Sequence, residues 1–210
     1  VKVAILNEMS TCTRNADIVK ALEGIDVEVI NVGMKEGIEQ TLNYLQTGFL
    51  TGLLINLKRA DFVIGGCGTG TGYINAALCF PNVSATMCLE PIDAFLFPRI
   101  NAGNCISLAL NKGYGWGAPE NLRFMFERLF APGGMGAGYP AERKEIQNKL
   151  AQRLTDYSQA THRSMADCVK NLETEIVRDA LHYPGVWELV DIDNVDDAEL
   201  KAALIEKYNA

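Results

Sequence analysis

Cys67 stands in DFVIGGCGTGTGYINAAL, residues 61 to 78, a stretch holding five of the chain's nineteen glycines. Glycines clustered after an apolar run let a backbone turn sharply or lie close to a ligand. A loop that passes from strand into helix aims its N–H groups and the positive helix end at one point, and that field favours thiolate over thiol. A thiolate beside such a cradle can take a proton from a carbon next to a carbonyl while the amides hold the enediolate oxygen. This is the chemistry of aldose–ketose isomerisation without a metal. The plainer alternative is a buried thiol that fills the end of a strand.

Two other glycine-loop chemistries fit less well. A phosphate-binding GxxxxGK[ST] loop needs a lysine, and none occurs between residues 60 and 111. A dinucleotide fingerprint needs GxGxxG after the first strand, whereas Gly66, Gly68, Gly70 and Gly72 follow the third at the wrong spacing.

The elements that must position the loop are legible as alternating runs. Apolar, β-branched segments at 1–6, 27–33, 61–66, 83–88 and 105–110 read as strands. Helical segments are expected at 13–23, about 38–58, 71–79, about 91–100 and 119–130. This alternation predicts an α/β fold, a five-stranded parallel sheet with helices on both faces. Ligands in such folds bind at the carboxyl ends of the strands. Three segments are expected there: NEMST after the first strand, GCGTGTG after the third, and RINAGN near the fifth.

After Phe130 the character changes. Residues 132–140 form a glycine-rich connector, and 141–181 read as one long polar helical stretch with an apolar stripe at Ile146, Leu150, Leu154 and Tyr157. The expected division is therefore a core over 1–131 and a connector plus C-terminal helical extension over 132–210. The tail is expected to end in a short helix capped by Asn194 or Asp196. A helix reaching away from its sheet suits contact with a second subunit.

The totals exclude several classes. With 210 residues, 48% of them hydrophobic, the chain can bury one sizeable core. A net charge of −7 argues against nucleic acid or an anionic membrane as partner. No apolar run approaches a membrane span, and the start is too short for a secretory signal. Six cysteines without a CxxC pair suggest neither a disulfide framework nor a zinc site, and fit the reducing cytoplasm.

The stretch DFVIGGCGTGTG (61–72), followed by LEPIDAFLFPRINAGN (89–104), resembles the family of type B ribose-5-phosphate isomerases and galactose-6-phosphate isomerases. The resemblance implies a Rossmann-like α/β/α sandwich, a homodimer or larger homo-oligomer whose active sites are completed by a neighbouring subunit, a sugar substrate and no cofactor or metal. Matched position by position, Cys67 is the enediol base. Gly68, Thr69 and Gly70 form the loop that holds substrate oxygens, with Thr69 near the ring oxygen. Glu8 stands where the family has an aspartate, and Asn101 and Asn104 match its two asparagines. Arg143 lies near the family's phosphate-binding arginines. Asn7, Thr71, Gly72 and Arg99 complete the expected binding set around these positions, with Arg99 either an anion binder or a charge at a helix C-terminus.

Two departures bear on substrate. Ile100 stands where the family has its ring-opening histidine, and Met9 where it has a second one. Either Thr69, Glu8 or solvent opens the ring, or the substrate arrives open. The longer chain, with NExS at 7–10, KGYGWGAPE at 112–120 and GGMGAGYPAER at 133–143, looks like a longer branch of the family. One type in that branch isomerises 4-deoxy-L-threo-5-hexosulose uronate, an unphosphorylated keto-uronate. The expected function is isomerisation of a phosphorylated or acidic sugar, with that keto-uronate as the main alternative and a catalytically idle sugar-binding regulator as an alternative of another class.

Among the remaining candidates, His162 and His182 read as surface or capping residues, and Glu90 with Asp93 as charge at a helix start. Cys79, Cys88 and Cys105 read as core. Cys12 and Tyr44 could line the pocket or simply pack, and Tyr114 and Trp116 suit a subunit contact or a sugar site.

Overall fold

The computed structural model describes residues 1–210. Five strands, β1 (Lys2–Asn7), β2 (Glu28–Asn31), β3 (Phe62–Cys67), β4 (Ala85–Met87) and β5 (Cys105–Ala109), form one sheet in the order β2-β1-β3-β5-β4 with every pair parallel. Helices α1 (Asn15–Ala21), α4 (Pro91–Ile100) and α5 (Ala118–Leu129) cover one face, and α2 (Tyr44–Asn56) and α3 (Thr71–Ala77) the other. The expected Rossmann-like sandwich is what forms.

Strand alternation divides the core. Val3 and Ile5 of β1 and Phe62 and Ile64 of β3 meet Ile18, Leu122 and Phe126 on one side. Ala4, Leu6, Val63 and Cys67 meet Phe49, Leu53 and Tyr73 on the other. The chain leaves β1 toward the α1 face and leaves β3 toward the α3 face. The carboxyl ends of these two neighbouring strands therefore splay apart, the switch point at which α/β sheets open a crevice. Glu8 follows β1 there, and Cys67 ends β3.

Several boundaries differ from the sequence reading for local reasons. A 3-10 helix, Met9–Arg14, precedes α1, and α2 begins only at Tyr44 because Asn43 and Gln46 form a reciprocal capping box. The 141–181 stretch is three helices: α6 (Lys144–Thr161), α7 (Met165–Asn171) and α8 (Thr174–Leu181). His162 and Leu172 take extended backbone, and the Ser164 hydroxyl accepts from the Asp167 amide to start α7. Helices α9 (Val186–Val190) and α10 (Ala198–Asn209) follow, α10 being capped by Asp197. Only α6 keeps its apolar stripe exposed. Met165, Val169, Val177, Leu181, Leu200 and Leu204 pack into the same cluster as Phe49 and Leu53 of α2.

Burial has a pH consequence. It pushes the Cys88 and Cys105 thiols up to about 12 from an ordinary 9.0. Folded-state values raised above the unfolded ones mean that this contribution is complete below about pH 9 and is lost as pH rises toward 12. Unfolding free energy measured against pH should therefore fall over that window, with a shallower decline in a Cys88→Ala, Cys105→Ala double variant.

Candidate active site

The loop after β3 is built by its glycines and held from below. Gly70 has φ +78°, a left-handed conformation that lets the chain turn into α3, and a Cβ there would meet the Met87 Sδ at 2.9 Å. Its amide donates to the Cys67 carbonyl at 3.2 Å, and its carbonyl accepts from the buried Ser107 hydroxyl at 2.6 Å. The amides of Gly68, Thr69 and Gly72 find no acceptor within the chain and are free to meet a ligand oxygen.

Cys67 is 6% exposed at the end of β3, with Sγ 3.9 Å from the Thr69 hydroxyl oxygen. That oxygen accepts from the Thr71 amide at 3.3 Å, which leaves the hydroxyl proton free to donate elsewhere. Across the crevice, Glu8 caps the 3-10 helix: its carboxylate accepts from the Ser10 amide at 3.1 Å and from the Ser10 hydroxyl. Glu8, Cys67, Gly68, Thr69, Gly70, Thr71 and Gly72 thus gather at one edge of the sheet.

Asn111, which the motifs left out, joins this wall together with Lys112. Asn111 donates its amide N–H to the Gly68 carbonyl at 3.0 Å and its side-chain Nδ2–H to the Ser10 carbonyl at 2.9 Å; Lys112 also donates to Gly68 at 2.8 Å. A Cβ at Gly68 would lie 3.4 Å from Ser10 Oγ. The signal was available, since Asn111 follows the carboxyl end of β5 as Glu8 follows that of β1. Tyr44 lies against the loop as well, because a Cβ at Gly72 would meet its ring at 3.2 Å.

Other expected site residues are placed elsewhere. Asn7 is fully buried, donating to the Thr11 and Met34 carbonyls at 3.0 and 2.9 Å and accepting from Asn15 at 2.7 Å; it fixes the exit of β1. Arg99 is 2% exposed, and its guanidinium donates to the carbonyls of Phe95, Arg128 and Ala131. The expected substrate-binding arginine is instead a staple joining the ends of α4 and α5.

RINAGN also lies away from the edge where it was expected. A segment that precedes a strand sits at that strand's amino end, and Val63, four residues before Cys67, donates to the Asn104 carbonyl at 2.9 Å. Four residues of strand place Asn104 roughly 13 Å from Cys67 along the sheet. Its side chain is bonded to the Ser84 amide and the Asn82 carbonyl. Asn101 and Asn104 line a cavity of about 390 Å³ with Ser158, Tyr157 and His162 of the α6 region. Arg143 is exposed just before α6, with its guanidinium 5.8 Å from the Tyr139 ring centre. Within one subunit these residues do not meet Cys67.

The two histidines hold helix ends: His162 bridges the Ser158 and Leu78 carbonyls at 2.9 and 3.1 Å, and His182 stacks on Tyr208. Asp93 accepts from the Leu89 and Glu90 amides, as charge at a helix start should. No helix is long and apolar enough to cross a membrane.

The fold is a Rossmann-like parallel sheet with a thiol, a carboxylate, a hydroxyl and free amides at its switch point. Residues 3–118 match the family described as Ribose/Galactose Isomerase. A solved 4-deoxy-L-threo-5-hexosulose-uronate ketol-isomerase, complexed with a tartrate, is 35% identical over 100% of both chains with a TM-score of 0.91. A ribose-5-phosphate isomerase from Vibrio parahaemolyticus is 34% identical over 98% of each chain with a TM-score of 0.89. The type B enzyme of Thermotoga maritima shares the fold, with a TM-score of 0.59 and 23% identity, but covers 74% of this chain. No curated protein matches the sequence. The chain belongs to the ribose/galactose isomerase family and is a sugar isomerase, an intramolecular oxidoreductase.

Proposed function

We propose that the protein is a ketol-isomerase of an unphosphorylated acidic sugar of the keto-uronate type, with Cys67 as the base. The likeness to the uronate ketol-isomerase through the whole chain supports the substrate class, and because a ribose-5-phosphate isomerase matches nearly as far, the observation that separates the two readings is Ile100. The bound tartrate in that relative, itself a hydroxy acid, agrees with an acidic ligand. Ile100 supports the same reading. A side chain that cannot move a proton suits a substrate that arrives with its carbonyl free.

In this mechanism the Cys67 thiolate takes the proton from the carbon beside the carbonyl. The Gly68, Thr69 and Gly72 amides hold the enediolate oxygen, the Thr69 hydroxyl donates to it, and the proton returns to the neighbouring carbon. Glu8, held by Ser10, carries the proton that passes between the two oxygens in this scheme. Asn101 and Arg143 act in the site of a neighbouring subunit. The exposed stripe of Ile146, Leu150, Leu154 and Tyr157 on α6 is the surface proposed to bring the second subunit in. Pentose phosphate is the second reading, favoured by the 34% identical relative described as a ribose-5-phosphate isomerase.

The test is incubation in heavy water with the open-chain keto-uronate, ribose 5-phosphate and galactose 6-phosphate, followed by NMR. The proposal expects deuterium at the carbon next to the carbonyl of the keto-uronate. Exchange confined to the phosphates would replace it with the second reading, and binding without exchange would indicate a sugar-binding regulator.

A further inference from the structure

We infer that Arg14 is the specificity residue that receives the substrate's carboxylate, with Lys112 adding positive charge at the same edge of the sheet; this rests on the acidic-sugar reading above. Arg14 ends the 3-10 helix that leaves the carboxyl end of β1. Its guanidinium lies face-on to Tyr114, 4.3 Å from the ring centre, and Tyr114 is itself fixed by donating its hydroxyl to Asp17 at 2.7 Å. A guanidinium held by one face keeps its terminal Nη1/Nη2 edge for a planar acceptor.

Nothing in the chain supplies that acceptor. Arg14 takes part in none of the five ion pairs and in no side-chain hydrogen bond, and its Nε is buried without a partner. Other half-buried or buried arginines are treated differently. Arg59 donates to three carbonyls and pairs with Asp191, while Arg99 donates to three carbonyls. Arg14 is a positioned cation whose edge donors have no partner inside the chain.

Its place ties it to the catalytic loop. Ser10, four residues earlier in the same 3-10 helix, is joined through Asn111 to Gly68. The backbone kinks at Thr11, so chain length alone bounds the separation: four residues at about 3.5 Å each keep the two backbones within about 14 Å. Tyr114, which carries the Arg14 guanidinium on its face, and Lys112 line a neighbouring cavity of about 350 Å³ at the carboxyl ends of β4 and β5, whose walls include neither Arg14 itself nor Cys67. Lys112 forms no ion pair, and its backbone donates to Gly68. In a chain of net charge −7, an anion is drawn to this edge only by cations close to it.

The test compares wild type with Arg14→Met, which keeps much of the apolar stem, using keto-uronate turnover, inhibition by tartrate and thermal unfolding. The expected result is a rise of about 10- to 100-fold in KM for the keto-uronate and in the tartrate inhibition constant, the range of a charge-assisted hydrogen bond. The effect on kcat should be much smaller. Arg14→Lys, which keeps the charge but not the fork, should recover part of the loss. A folded Arg14→Met enzyme with wild-type KM and tartrate inhibition overturns the inference while leaving the acidic-sugar reading intact. Wild-type turnover of ribose 5-phosphate alone sinks that reading, and the carboxylate assignment falls with it. A second measurement needs no variant: tartrate should protect Arg14 in the wild type from phenylglyoxal, read by peptide mass mapping. Equal labelling with and without tartrate also overturns the inference.

Discussion

Replacing Cys67 by alanine is expected to lower kcat/KM at least about 100-fold while leaving the protein folded. Without the thiolate, the amide cradle and the Thr69 hydroxyl can still polarise the carbonyl, but nothing placed at the end of β3 can accept the carbon-bound proton. The structural cost is small, since losing one sulfur from a single buried side chain is worth about 1 kcal/mol of burial. Cys67→Ser should fall about as far, because a hydroxyl does not ionise near neutral pH. Steady-state kinetics beside a thermal melt check both statements. Undiminished turnover in the alanine variant would leave Cys67 as packing.

The largest expected effect on stability lies two residues earlier in the same strand. Gly65→Ala places a Cβ 1.9 Å from Tyr73 Cζ and 2.1 Å from its hydroxyl. Tyr73 is fully buried, with its hydroxyl 2.6 Å from Thr51 Oγ1 and 3.3 Å from the Cys105 sulfur, so the ring cannot swing aside without breaking those contacts. Overpacking of this kind costs about 3 kcal/mol, which for a chain of this size lowers Tm by roughly 10 °C. Adding Tyr73→Leu should relieve the collision, so that the double variant is more stable than the sum of the single effects predicts. Calorimetry of the four proteins checks this.

The sheet and the catalytic loop were readable because their signals are local. VKVAIL, DFVIGG and CISLAL announce buried parallel strands, and the glycine pattern around Cys67 requires a sharp turn at a strand end. What was not readable depends on partners distant in sequence. Arg99 is a charge at a helix end until the carbonyls of Arg128 and Ala131 arrive to bury it. Asn7 is a polar residue beside Glu8 until Asn15 and Met34 take its amide. The breaks at His162 and Leu172 carry no glycine or proline, and the helices after them pack back against α2.

The misplacement of RINAGN has a different origin. Strand direction was available from the sequence, and in a parallel sheet a segment before β5 must lie at the edge opposite one that follows β3. Arg14 went unnoticed because a lone arginine after a strand has no motif. Its significance comes from the Tyr114 stack and from the lack of an acceptor.

The most direct measurement of the proposed chemistry is deuterium uptake from heavy water into the carbon beside the substrate carbonyl, compared between wild type and Cys67→Ala under saturating keto-uronate. The account predicts rapid incorporation by the wild type and, in the folded variant, incorporation no faster than about one hundredth of that rate. Equal uptake by the two proteins would contradict it.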